Sequence, residues 1–303
     1  MERRQLLLFL LILGTAFWGV SYSVTKMAIG NYSLNVFLFY RFLLAVVVLS
    51  IIFWKYVKDI NREAIKTGFL LAVPMFLGIQ LQTVGLKYTD ASQCSFIAGL
   101  TVIIIPLLKL AIYKTNASLK IWIAALTALT GLFIIAIQDK FTINFGDLFT
   151  IAGAFAFAIY LIAVEKHSAT KNLLYSIVPM FAFCALFTFL IALTDSSSEW
   201  FPQNNTFWMG VIYCALFSTA FMYTVSNVSQ RYLSAERVAV IYLFEPVFGA
   251  IGAFFILGEN LTWRLLLGGT LIFAGTIISE VNFKSEKLKV LIRKTNAFLG
   301  FNT

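Results

Sequence analysis

Residues 238–257, VAVIYLFEPVFGAIGAFFIL, constrain this chain more than any other stretch. About twenty consecutive apolar residues form a helix long enough to cross the hydrocarbon core of a bilayer. One acid, Glu245, lies near the middle of the run, and Pro246 follows it at once. Tyr242, Glu245, Gly249 and Gly252 are spaced i, i+3, i+7 and i+10, so they share one helical face. An uncompensated carboxylate at that depth costs about 3 kcal/mol on insertion scales, so this face is expected to look into protein or water. Pro246 cannot donate the backbone bond its position calls for, and its ring crowds the preceding turn. Small residues beside it let another backbone approach and stabilise the irregularity. The stretch reads as the functional helix of a multi-pass membrane protein.

The rest of the chain agrees. It is 60% hydrophobic and 12% charged, against roughly 50% and 25% for an average soluble domain. Long apolar runs recur at 6–24, 35–54, 67–86, 91–112, 119–137, 146–164, 173–194, 207–226, 238–257 and 265–281, which predicts ten spans joined by short polar turns. The first run follows Arg3 and Arg4 and imitates a signal peptide, but it is longer than a usual signal core and is read as a span. The net charge of +9 is no argument for nucleic-acid binding, because the basic residues lie between the apolar runs. Arg3, Arg4, Lys55, Lys58, Arg62, Lys66 and the tail lysines fall on one side, against only Lys26, Lys87, Lys140 and Arg264 on the other. That asymmetry predicts a cell-membrane protein with both termini cytoplasmic. Cys94, Cys184 and Cys214 fall inside predicted helices and read as small buried hydrophobes. His167, the single histidine, excludes a histidine-based metal or nucleophile site. There is no G-x-x-x-x-G-K-[ST] loop to drive the chain with ATP.

The two halves resemble each other. IIIPLLKLAIYK leading into IWIAALTALTGLFIIAI parallels LFEPVFGAIGAFFILGEN leading into LLLGGTLIFAGTIIS, so Pro106 matches Pro246 and Gly131 matches Gly275. FWGVSYSVTK parallels AFAIYLIAVEK, setting Trp18 against Phe157 and Lys26 against Glu165. The fold class expected is an all-α integral membrane protein of ten transmembrane helices. Its units are one five-helix repeat over 1–138, a second over 139–283 and a basic cytoplasmic tail over 284–303. An odd number of helices per copy turns the second copy upside down, the inverted-repeat plan of many secondary transporters.

GLKYTDASQCSFIAGLTVIIIPLLKL and YLFEPVFGAIGAFFILGENLTW resemble the paired signatures of the EamA-like family in the drug/metabolite transporter superfamily. The resemblance covers nearly the whole chain. It implies a two-repeat bundle around a central cavity that moves small polar metabolites by alternating access. In the first copy an acid often closes the fourth helix, whereas KTNAS stands here.

Several residues are expected to bind substrate. Glu245 suits a substrate amine or a proton, and equally a structural role beside Pro246. Trp18 and Tyr22 in the first span and Tyr160 in the sixth offer rings for flat or cationic ligands. Tyr242 shares the Glu245 face. In the third span Gln80 and Gln82 point almost oppositely, and Gln80 is the one expected to face the cavity. Tyr213, Phe217, Ala220, Thr224 and Asn227 form a stripe that reads as a path or as core packing. Arg41, roughly 9 Å deep, serves either an anionic group and an outer gate or a snorkelling contact with a helix end. Pro106 and Pro246 are expected helix breaks, and Lys109 a positive-inside anchor. No cofactor, metal or nucleic acid is expected; the partners are a small-molecule substrate, the bilayer and protons, with the oligomeric state open. The function expected is secondary transport of small metabolites or amino-acid-like solutes, in the direction of export. A channel or non-transporting membrane partner is the alternative, and a membrane-embedded enzyme a more distant one.

Overall fold

The structure is a computed structural model that describes residues 3–30, 32–88, 94, 97–136, 144–168, 172–195, 198–257 and 263–280. The basic tail over 284–303 and the junction at 138/139 lie outside the described residues. Every regular element among the described residues is helical: α1 (Arg3–Ile29), α2 (Leu34–Ile52), α3 (Trp54–Lys58), α4 (Arg62–Tyr88), α5 (Thr101–Tyr113), α6 (Leu119–Ala136), α7 (Phe145–Ser168) and α8 (Asn172–Thr194). There follow α9 (Asn205–Tyr213), a π-helix (Cys214–Phe221), α10 (Met222–Ser229), α11 (Ala235–Tyr242), α12 (Glu245–Leu257) and α13 (Trp263–Glu280). Helix is what lipid demands, since it satisfies the backbone within one segment.

Six of these helical stretches are long and apolar enough to span a membrane, α9 to α10 counting as one; they contain the runs expected at 6–24, 67–86, 146–164, 173–194 and 207–226, and the run expected at 35–54 ends two residues early, at Ile52. Shorter apolar helices, Ile97–Tyr113, Leu119–Ile135 and Trp263–Ser279, occupy three further expected runs. The run at 238–257 is divided into α11 and α12. The first of the short polar elements, α3, breaks from α2 at Phe53 and lays Lys58 over the Trp54 ring at 4.4 Å, an arrangement suited to a membrane surface.

The expected breaks need correction. Before Pro246, Leu243 and Phe244 form a tight turn, their N–H groups reaching the carbonyls of Val240 and Ile241 at 3.2 and 3.1 Å, and a new helix starts at Glu245. Proline in a first turn removes a bond that has no helical acceptor anyway. Pro106 does not break its helix; α5 runs through it unbroken, and the interruption falls at Leu100. A Cβ on Gly99 would stand 2.9 Å from a methyl of Leu243. The two interrupted helices therefore touch at their breaks.

Packing joins elements far apart in sequence. α4 lies between α7 and α8; α1 lies against α9, the π-helix, α10 and α12; α2 lies against α8; α5 lies against α7 and α11; and α6 pairs with α13. The closest approaches use glycine. Gly131 of α6 and Gly268 of α13 each face the other's carbonyl oxygen, with no room for a side chain. Gly19 of α1 presses on the start of α12, where an added Cβ would collide with the Glu245 carbonyl oxygen and come within 2.7 Å of the Gly249 nitrogen.

Gly19→Ala is therefore expected to lower the thermal unfolding midpoint in detergent, through overpacking of about 1–3 kcal/mol. Gly269→Ala is the control, because its Cβ would meet Val247 at an ordinary 3.6 Å. Equal midpoints for the two variants would show that the α1–α12 contact is not tight.

Candidate functional site

The break between α11 and α12 places Glu245 deep in the bundle, where it is 8% exposed. Its Oε1 accepts no hydrogen bond from any described residue. The polar group beside its carboxyl is the hydroxyl of Tyr22, brought there by the close crossing at Gly19. Tyr22 in turn accepts a 2.8 Å hydrogen bond from the Gln82 side-chain amide. Sequence logic on α1 explains the arrangement: Trp18, Gly19 and Tyr22 span one turn, so the glycine that admits α12 sets an aromatic ring above and below it.

Trp18 is the centre of an aromatic box. Its ring lies 5.1 Å from Tyr242, 5.4 Å from Phe157 and 5.5 Å from Tyr223, edge-on to both tyrosines. Such contacts order the rings beyond simple burial. A cavity lies beside the box, with Trp18, Gln82, Phe157, Tyr242, Glu245 and Pro246 among its walls. Its free volume of about 40 Å³ accommodates a few waters but no metabolite. A second small cavity adjoins it. That one is lined by Trp18, Ser21, Tyr22, Thr25, Arg41 and Gln82 together with α4 residues. Trp18 and Gln82 belong to both, so Glu245 lines one of two adjoining cavities and Arg41 the other.

Arg41 is 5% exposed and is neither snorkelling nor seated on a helix end. Its Nε donates to Thr219 Oγ1 at 2.6 Å and a terminal nitrogen donates to Ser218 Oγ at 3.3 Å. Both hydroxyls sit in the π-helix, whose extra residue per turn brings them round to face α2. Among the described residues no carboxylate pairs with Arg41.

The other expected residues divide. Gln80 turns away from both cavities and donates to Asn35 Oδ1 at 2.7 Å, so the expectation that it, rather than Gln82, faces the cavity is corrected. The two are about 200° apart round the helix, and no pattern in the run distinguishes them. Tyr160 and Asn227 are joined to each other by a 2.6 Å hydrogen bond below the cavity, fully buried. Tyr242 lines the cavity and bonds to the Ser226 hydroxyl. Lys109 is no lone anchor. Its ammonium contacts Glu165 at 2.5 Å and Glu236 at 2.9 Å, and its side chain is 15% exposed. Sequence reading missed this cluster, because its members lie on three helices and only the fold brings them together. It also passed over Tyr223, one aromatic among many, and the π-helix, whose sequence CALFSTAF contains no glycine or proline to mark it.

The chain matches the model of the EamA-like transporter family twice, over residues 5–137 and 144–280. An uncharacterized transporter of Archaeoglobus fulgidus is 27% identical over 264 residues, covering 86% of this chain and 81% of its own length. The uncharacterized transporter YoaV of Bacillus subtilis is 22% identical over 296 residues, covering 90% and 96%. A solved crystal structure superposes with a TM-score of 0.76 at 14% identity, covering 92% of this chain and 97% of that one, and so shares the fold. With the family model matched along both halves and transporters among its relatives, this multi-pass membrane chain belongs to the EamA-like transporter family.

Proposed function

We propose that the protein is a secondary transporter that exports a small metabolite or amino-acid-like solute across the cytoplasmic membrane by alternating access. Glu245 carries this reading: a buried carboxyl with an unpaired oxygen, at the start of an interrupted helix, on the wall of a central cavity. Tyr22 partners the carboxyl and leaves Oε1 open, and an open carboxylate oxygen at that depth suits a substrate amine or a proton. Trp18, Tyr22 and Tyr242 supply rings that close over a cation or a flat group. Arg41 receives the anionic end of the substrate. Its hydroxyl partners in the π-helix orient the guanidinium and leave its charge unneutralised, so it is free to bind a carboxylate in bidentate fashion. An acid on one cavity and a guanidinium on the adjoining one suit a zwitterion.

The reading includes ten helices in two inverted five-helix repeats, with both termini cytoplasmic. The Lys and Arg distribution supports the orientation, and three observations support the repeat. The family model matches each half separately. Numbering the spans in order, the first packs on the eighth and the sixth on the third; the first packs on the ninth and the sixth on the fourth. The third packs on the seventh and the second on the eighth; the second with the seventh and the fifth with the tenth pair with their own counterparts, so exchanging the halves leaves these pairings unchanged. Trp18 and Phe157, matched in the alignment of the halves, meet in the middle at 5.4 Å. Trp18 and Phe157 meet as residues near a two-fold axis do.

Counterflow into proteoliposomes loaded with candidate zwitterions tests the proposal. Glu245→Gln is expected to reduce counterflow by at least about tenfold, the loss of one charge-assisted contact, with an unchanged unfolding midpoint. Full activity in that variant would remove Glu245 from the mechanism. Arg41→Gln is expected to raise KM for zwitterionic substrates about tenfold to a hundredfold while sparing amines that lack a carboxylate. Equal loss for both classes would make Arg41 structural. Uptake indifferent to an imposed pH gradient would exclude proton coupling.

A further inference from the structure

We propose that Lys109, Glu165 and Glu236 form the inner gate of the transport path, and that the buried polar face of α10 lines the passage this gate closes. The proposal rests on the alternating-access reading above and adds to it the residues that hold one side shut.

Three observations point to it independently. The first is the ion cluster. Lys109 on α5 meets Glu165 on α7 and Glu236 on α11, approaching both oxygens of Glu236 at 2.9 and 3.0 Å. Glu165 also accepts the backbone N–H of Ala235 at 3.2 Å, at the start of α11. One cation thus holds two carboxylates together, and each contact joins separate helices. Without the lysine the same site brings two like charges together and pushes α7 and α11 apart. An interaction with that asymmetry works as a latch.

The second is position. A basin of about 500 Å³ opens at this end of the bundle, with Lys109, Glu236, Tyr232, Ser234, Thr115 and Ser118 among its walls. Along α11, Glu236 borders the basin and Ala239 borders the central cavity, which sets the two about 5 Å apart along the axis. On α7, Glu165 stands eight residues from Phe157 of the aromatic box, about 12 Å, with Tyr160 and its bond to Asn227 between them. The cluster therefore fills the layer that separates basin from cavity.

The third is the state of α10. Tyr223, Asn227 and Gln230 lie at i, i+4 and i+7 on one face, and all three are buried. The Tyr223 hydroxyl, the Asn227 Nδ2 and both ends of the Gln230 amide have no hydrogen-bond partner among the described residues. Thr224 Oγ1 and Arg231 Nε, flanking the same face, also have none. Burying this many polar atoms unpaired is unfavourable. A conformation that opens a wet passage along α10 gives each of them a partner, so this face belongs to a path that is shut here.

Cysteine accessibility tests the gate. In a background with Cys94, Cys184 and Cys214 replaced, Gln230→Cys reports the inner passage and Thr25→Cys the cavity beside Arg41. Inside-out and right-side-out vesicles are treated with a membrane-impermeant maleimide. Lys109→Gln is expected to raise the labelling rate of the inner reporter about tenfold, the shift that follows from losing one decade of preference for the closed state, and to lower that of the outer reporter. Glu236→Gln, which keeps the Lys109–Glu165 pair, should raise it less. Exchanging the charges, Lys109→Glu with Glu236→Lys, should restore slow labelling. An inner rate unmoved by both single variants, with unfolding midpoints unchanged, overturns the gate. A raised inner rate with no fall at the outer reporter supports the gate and overturns alternating access instead.

Discussion

A helix that loses a backbone hydrogen bond inside a bilayer must have its freed groups covered by protein, and the organisation around Glu245 follows from that requirement. A tight turn at Leu243–Phe244 ends one helix, and Pro246 stands in the first turn of the next, where no N–H is called for. Cover comes from α1, which comes close enough because residue 19 has no side chain. The same approach brings the Tyr22 hydroxyl to the carboxyl and Trp18 to the wall of the same cavity. Irregular backbone, buried acid and aromatic box are thus one arrangement with one cause.

The second irregularity has a different origin. The π-helix at Cys214–Phe221 turns Ser218 and Thr219 toward α2, where they take both hydrogen bonds of Arg41. A carboxylate in their place would neutralise the guanidinium. Hydroxyls hold it in position without neutralising its charge. Of the two adjoining cavities, one is therefore lined by an acid and the other by a guanidinium, each supported by neutral groups.

Much of this was legible in the sequence, for physical reasons. Apolar runs of membrane-spanning length identify helices because lipid leaves few other options, and Glu245 stands out because acids at that depth are expensive. Trp18 was legible because it lies too deep for an interface anchor. Gln80 and Gln82 were not separable, since choosing between them needs the rotation of α4 against its neighbours. Pro106 and Pro246 look alike in sequence, yet only the second sits in the first turn of a new helix. Lys109 reads as an anchor until α7 and α11 bring their acids to it, over separations of 56 and 127 residues in the chain.

The interleaved packing has a consequence for how the protein is made. α4 seats against α7 and α8, and α1 against α9 to α12, so the early helices enter the lipid before the surfaces that cover them exist. The tight glycine contacts of α4 at Gly68, Gly78 and Gly85 are all made with α7 or α8. During synthesis these grooves face acyl chains or an insertion factor, and they become dry protein contacts only when the later segments arrive. Biogenesis must therefore keep the first half loose until the second is threaded, and a chain interrupted between the halves leaves an incomplete assembly rather than a smaller working unit.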